Sequence, residues 1–123
     1  MIHLDYRDSR PIYEQVKDSL RRLMVTGVLA PGDKLPSVRS MASQLSINPN
    51  TIQRAYMQLE QEGLIYPVKG KGNFIADSQE VRKASIESYK RELKSLIQKG
   101  KAMGMEEEEL IYIIRECYKE GMS

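Results

Sequence analysis

The sequence predicts a mainly α-helical chain with one small β-hairpin, organised as a compact domain over residues 1–76 and a helical tail over residues 77–123. Three observations carry that prediction. Apolar residues recur at helical spacing in three successive segments between Pro11 and Gly63. The period then changes to short β-prone runs on either side of Lys69-Gly70-Lys71-Gly72. Helical periodicity returns beyond a polar stretch at Ala76–Val81, which marks the boundary. A length of 123 residues leaves room for one such domain and an appendage, not for two full domains.

The first helix is expected to open at Pro11, whose missing N–H needs no intrahelical partner there. Ile12, Tyr13, Val16, Leu20, Leu23 and Met24 form its apolar face, Arg21 and Arg22 lie on its solvated side, and Gly27 is placed to end it. A Pro31-Gly32 turn follows, and Lys34-Leu35 is long enough for a very short strand. Ser37 is positioned to cap a second helix by accepting a backbone N–H. Val38, Met41, Ala42 and Leu45 fall at i, i+3, i+4 and i+7, and this helix stops near Ser46.

Asn48-Pro49 restarts a helix only a few residues later. Its apolar stripe is Ile52, Ala55, Tyr56 and Leu59, its outer line is Asn50, Arg54, Met57 and Gln61, and Gly63 ends it. Two short helices joined by a tight polar turn make a helix-turn-helix. The basic, glycine-rich hairpin attached directly after it makes a wing. In the tail, Ile86, Tyr89, Leu93, Leu96 and Ile97 stripe one helix, interrupted by Gly100 and Gly104. A second helix is expected from about Met105, with Glu106 to Glu109 at the positive end of its dipole. Leu110, Ile113, Ile114 and Cys117 are its stripe, widened by Ile111 and Tyr118.

Composition narrows the function. The chain is 41% hydrophobic and 29% charged, as ordinary soluble proteins are, and no apolar run approaches the ~20 residues that span a bilayer. Asp5, Arg7, Asp8 and Arg10 break up the first ten residues, so no signal peptide is read there. A lone cysteine forms no internal disulfide, which fits a reducing, cytoplasmic setting, and no membrane partner is expected. With one His and one Cys, neither a nucleophilic triad nor a His-rich metal site assembles, so no enzyme activity and no cofactor are expected. His3 reads as a terminal residue and Cys117 as a small buried hydrophobe. No Gly-Lys-Ser/Thr opens a helix after the glycine-rich turn, so it is not a nucleotide-phosphate loop.

The net charge of +2 says little by itself, but its distribution says more. From Lys34 to Leu59 the chain carries Lys34, Arg39 and Arg54 and no acidic residue, which suits a polyanion. An RNA-binding domain would carry stacking aromatics on an exposed sheet, whereas the tyrosines here mostly follow core stripes. A winged scaffold that binds proteins instead would have lost the basic side chains that remain at Arg39, Arg54, Lys69 and Lys71. Double-stranded DNA is the partner these features favour.

Several runs together resemble the GntR family of bacterial regulators. They are Pro11-Ile12-Tyr13-Glu14-Gln15, Pro31-Gly32-Asp33-Lys34-Leu35-Pro36-Ser37-Val38-Arg39, Asn48-Pro49-Asn50-Thr51-Ile52, Arg54-Ala55-Tyr56, Leu59-Glu60, Gly63-Leu64-Ile65 and Gly70-Lys71-Gly72-Asn73-Phe74-Ile75. The match runs from about Pro11 to Ala76, and the short two-helix tail with Asn48-Pro49-Asn50-Thr51 looks like the YtrA-type subfamily. The resemblance implies a winged helix-turn-helix domain, a homodimer and a palindromic DNA operator. By analogy it also implies repression of the chain's own operon, often one encoding an ABC-type transporter.

Carried over residue by residue, the family's DNA contacts fall on Ser37 and Arg39, then on Asn50, Thr51 and Arg54, and on the wing at Lys69, Gly70, Lys71 and Gly72. Asn48, at the start of the third helix, is counted with that set. Many relatives carry an arginine where this chain has Pro49, so the operator they read need not transfer.

Elementary chemistry agrees with that assignment. Asn50 and Arg54 lie one turn apart opposite the core stripe, so both point outward together. Asn pairs bidentately with adenine and Arg with guanine, each worth ~1–3 kcal/mol of discrimination. Thr51 suits phosphate contact and Arg39 either phosphate or an operator-edge base, while Lys69 and Lys71 supply affinity against the backbone or minor groove. Ser37 also reads simply as a cap, and Met57 as too far along to reach bases.

Ile86, Tyr89, Leu93, Ile97, Leu110, Ile113, Ile114 and Cys117 are the expected dimerisation face, since an apolar stripe of that extent wants a partner surface. The alternative is that the tail folds back on its own domain. A small-molecule effector, if one acts on this chain, belongs at the dimer interface or between tail and DNA-binding domain, because the tail is too small to enclose a ~300 Å³ site.

Overall fold

The computed structural model describes residues 2–121, so Met1, Met122 and Ser123, the outer ends of the two predicted segments, lie outside the described residues. The element order is α1 (Ile12–Val25), α2 (Val38–Leu45), α3 (Pro49–Gln61), β1 (Ile65–Val68), β2 (Gly72–Ile75), α4 (Gln79–Ala102) and α5 (Glu107–Glu120). The chain divides into two compact units between Ile86 and Glu87.

In the first unit the three apolar stripes meet. Val16, Leu20 and Met24 of α1, Met41 and Ala42 of α2, and Ile52, Ala55, Tyr56 and Leu59 of α3 form one buried cluster with Leu35, Leu64, Ile65 and Ile75. Hydrophobic burial of this order is what holds short helices that would be marginal alone. Helix α3 is the centre of the layer, packing on α1, α2 and β1.

The helix ends follow from named residues. Pro11 sits one position earlier than expected: its ψ of 149° is extended, so it is the N-cap, and its carbonyl accepts from Glu14 and Gln15. Ser37 caps α2 by accepting from the Ser40 N–H at 3.1 Å. Gly63, at φ +76°, closes α3 in the left-handed conformation that glycine adopts without a Cβ penalty. Helix α2 closes the same way but on Ser46, at φ +56° the only non-glycine with positive φ among the described residues.

Strands β1 and β2 pair antiparallel with Ile65 opposite Ile75 and Val68 opposite Gly72. The expected short strand at Lys34-Leu35 is a single bridge, Lys34 to Phe74, flanked by Leu35 N–H donating to Asn73 and Ile75 N–H donating to Asp33. Leu35 dives into the core there and Pro36, which has no N–H to donate, ends the pairing. The N-terminal segment is held by buried Gln15, whose Oε1 accepts from the Asp5 N–H at 2.8 Å while its Nε2 donates to the Asp5 and Arg10 carbonyls. Arg21, expected on a solvated side, ties α1 to the start of α4 through Glu80 at 2.7 Å.

Helix α4 begins inside the polar stretch, at Gln79, and runs without a break through Gly100. Gly100 does not interrupt it; a Cβ there would lie 3.2 Å from Met105 Sδ and 3.7 Å from Leu110 Cδ2, so its bareness lets the corner fold tightly. Gly104, at φ +90°, supplies the reversal. Glu106 and Glu109 then form a reciprocal capping box at the start of α5.

No residue of α5 is buried, and Cys117, expected inside, is exposed. The expectation that the tyrosines mostly follow core stripes fails: Tyr89 of α4, Tyr112 and Tyr118 of α5, and Tyr6 and Tyr66 are all exposed. Only Tyr56 is deeply buried. Among the described residues no helix is long and apolar enough to cross a membrane.

Candidate nucleic-acid interface

The geometry of the helix-turn-helix is set from inside. Tyr56, on the buried side of α3, donates its hydroxyl to the Pro36 carbonyl at 2.7 Å, fixing the residue that precedes the α2 cap. Burial pushes this phenol up to about 12. The turn then passes through left-handed Ser46, and the Ile47 N–H donates to Ala42 at 3.0 Å. Asn48 restarts the chain as the N-cap of α3, its Oδ1 accepting from the Asn50 N–H at 2.8 Å. A cap of this kind satisfies one of the helix's four free amides and is worth ~1 kcal/mol.

With Ile52, Ala55, Tyr56 and Leu59 turned inward, the opposite side of α3 is left to solvent. Asn50 and Arg54 are exposed on that side and Thr51 is half-buried. Arg54 is not free-standing. Its guanidinium carbon lies 3.9 Å over the ring centroid of Tyr13, which comes from α1. In the sequence Tyr13 belongs to the apolar face of α1 and to the Pro11–Gln15 run; its neighbour across the helix pair is a tertiary fact that no local pattern announces. Met57 is about half exposed, one turn further from the start of the helix than Arg54.

The wing departs from α3 after Gly63. The Lys71 N–H donates to Val68 at 2.9 Å, closing a turn in which Gly70 has φ +77°. Tyr66 and Phe74 stack across the two strands with ring centroids 5.9 Å apart. Gly72, at φ +117°, leaves room for Lys34: a Cβ there would stand 3.2 Å from Lys34 Cε. Lys34, Ser37, Lys71 and Gly72 therefore line one open groove of about 580 Å³ between the start of α2 and the wing. Lys34 was missed as a site residue. Its only signal in the sequence was its place in the acid-free stretch, because the bridge to Phe74 that carries it to the wing joins residues forty positions apart.

Electrostatics separates this side from the rest of the unit. Arg7, Arg10, Lys17, Arg21 and Arg82 each stand against a carboxylate. Lys34, Arg39, Arg54, Lys69 and Lys71 have no such partner among the described residues, a state shared in this unit only by Arg22 and Lys83. From Lys34 to Ala76 the only acids are Glu60 and Glu62, at the far end of α3, and Glu62 is engaged by Lys17 at 3.2 Å. Unneutralised cations flanking an exposed helix face give a local positive field for a polyanion. Among the described residues no group of His, Cys, Asp and Glu is arranged to hold a metal ion.

Comparison with known proteins gives this geometry a setting. The family model described as "Bacterial regulatory proteins, gntR family" matches residues 12–75. The HTH-type transcriptional repressor YtrA of Bacillus subtilis is 40% identical over 118 residues, covering 94% of this chain and 91% of that protein. Among solved structures, YtrA from Sulfolobus acidocaldarius, a GntR-family transcription factor, superposes with a TM-score of 0.60 at 33% identity, over 82% of this chain and 97% of that one. The DNA-binding domain of AraR in complex with operator ORR3 superposes with a TM-score of 0.54 at 31% identity, over 60% of this chain and 89% of that one.

Proposed function

The chain belongs to the GntR family of bacterial regulatory proteins, and from that premise we propose that it is a cytoplasmic repressor which binds a palindromic DNA operator as a homodimer. A winged helix-turn-helix transcriptional regulator acts by binding DNA and not by catalysis. Recognition helix α3 enters the major groove and offers Asn50 and Arg54 to base edges, with Thr51 and Arg39 on phosphates. Asn48 holds the start of that helix, and Ser37 does the same for α2. Lys69, Gly70, Lys71 and Gly72 of the wing lie along the backbone or minor groove, joined by Lys34. The observation that carries this reading is the coincidence of an exposed α3 face with five cations, Lys34, Arg39, Arg54, Lys69 and Lys71, that no carboxylate pairs among the described residues.

Homodimerisation rests on the tail. Ile86, Tyr89, Ile113, Ile114 and Cys117 are exposed in the single chain, and Leu93, Ile97 and Leu110 only half-covered. Pairing two subunits converts the second half-site contact into an intramolecular one and supplies the affinity one domain lacks. Binding of the purified protein to randomised DNA, followed by sequencing of the selected sites, tests the whole reading. A two-fold symmetric site is expected. With Arg54→Ala, preference should flatten at one symmetric pair of positions, at a cost of ~1–3 kcal/mol on the cognate site. Equal loss on cognate and scrambled DNA would make Arg54 a phosphate clamp instead.

A further inference from the structure

We propose that Tyr13 is a positioning residue of the DNA-reading site: its ring, presented from α1, holds the Arg54 guanidinium of α3 in place before DNA arrives. The inference rests on the reading of Arg54 as a DNA contact and adds a residue from outside the helix-turn-helix. The geometry is specific. The guanidinium carbon stands 3.9 Å over the ring centroid, within the range where a cation is held by the electron-rich face of an aromatic. The Tyr13 hydroxyl donates to Glu14 Oε1 at 3.3 Å, and a phenol whose proton is drawn toward a carboxylate presents a more electron-rich ring.

What Arg54 lacks is equally informative. No carboxylate or carbonyl engages it among the described residues, so its N–H groups remain uncommitted while its π-face is occupied. An arginine tied to a carboxylate would have to break that pair to reach a base. One resting on an aromatic face keeps its donor edge available for a bidentate contact. An exposed arginine left unsupported loses rotamer freedom on binding, and that loss opposes association. The ring removes part of that freedom in advance, which is preorganisation. Tyr13 can do this because α1 and α3 are locked together by Val16, Leu20, Ile52, Ala55 and Leu59, all buried, so the ring is anchored by the core of the unit.

A double-variant cycle on DNA affinity, with Tyr13→Phe, Tyr13→Leu and Arg54→Ala, tests the idea, with circular dichroism confirming that each variant folds. Tyr13→Phe keeps the ring and should bind within about two-fold of the parent. Tyr13→Leu keeps apolar volume but removes the aromatic face; a cation held there is favoured roughly two- to five-fold per site, so a dimer using two should lose about five- to thirty-fold on the cognate site. In the Arg54→Ala background the same Tyr13→Leu change should cost nothing further.

Equal losses in both backgrounds would overturn the positioning role, leaving Tyr13 a packing residue. If Arg54→Ala alone left cognate binding untouched, the reading of Arg54 itself would fall, and the role with it. A direct readout needs no DNA: the Arg54 side-chain protons should show upfield ring-current shifts in the free protein that survive Tyr13→Phe and vanish in Tyr13→Leu. Shifts insensitive to Tyr13→Leu would refute the contact.

Discussion

Replacing Tyr56 with phenylalanine removes one oxygen, and the structure fixes what that oxygen does. It is buried, the residue being only 2% exposed, and it donates at 2.7 Å to the carbonyl of Pro36. Taking it away leaves that acceptor without its partner in a part-buried site, which costs about 1–2 kcal/mol. For a unit of this size that lowers Tm by roughly 4–16 °C.

The pH dependence gives a second, independent measure. The phenol is raised from 10.0 to about 12 by burial, so the folded chain keeps a proton that the unfolded chain releases between those values. A group with a raised folded pKa contributes stability that is complete below pH 10 and lost as pH climbs toward 12. With partial solvent screening, that loss is at most about 3 kcal/mol. Denaturant melts of the parent and of Tyr56→Phe from pH 8 to pH 12 should therefore begin apart, with the variant less stable, and converge or cross as the parent loses its contribution. Absorbance at 295 nm should show a phenolate signal that forms well above pH 10 in the parent and is missing from Tyr56→Phe. Parallel stability curves across that range would mean that Tyr56 is not shielded as the structure has it. Because the same bond fixes Pro36 against α3, operator affinity should fall with stability, and an unstable variant with parental affinity would break the link between this bond and recognition geometry.

Three further outcomes follow from the same geometry. Lys34→Gln and Lys71→Ala should each lower the dependence of log affinity on log salt by about two units in a dimer, at ~0.9 per phosphate contact, on cognate and scrambled DNA alike; an unchanged slope for Lys34→Gln would place that lysine outside the interface. Ile113 and Ile114 are about half exposed, so converting both to serine should leave the fold intact while removing roughly 1 kcal/mol per side chain from a dimer seam. With four such side chains in a dimer, sedimentation should show dissociation near a thousandfold weaker, and an unaltered dimer would put the subunit contact elsewhere. Ser46→Gly should stabilise the protein by about 0.5–1 kcal/mol in thermal melts, because relief of left-handed strain exceeds the entropy that glycine adds to the unfolded chain; a loss of stability would show that the serine side chain matters there.

How much was legible in the sequence follows from the range of the interactions involved. Helix faces and ends repeat within one turn, so the stripes from Val16 to Leu59, the cap at Ser37, the restart at Asn48 and the stop at Gly63 could be read directly. The hairpin was equally local, since Lys69 to Gly72 announces its own turn. Pro11 was misplaced by one position because cap and first turn differ only in a ψ angle that proline does not fix. The interior of α4 was misread because a helical glycine and a helix-ending glycine look alike in sequence; only the packing of Met105 and Leu110 against Gly100 tells them apart.

Tertiary structure alone decided the rest. Burial depends on what a second element covers, and beyond Leu110, which meets Gly100 of α4, the apolar stripe of α5 is left bare, so Cys117 and Tyr118 are exposed. The same rule explains the details of the candidate interface. Tyr13 meets Arg54 across two helices, Tyr56 meets Pro36 twenty positions away, and Lys34 reaches Gly72 through a single bridge. Each contact joins residues whose separation along the chain carries no period, and only the packing of α1, α2 and the wing around α3 brings them within reach.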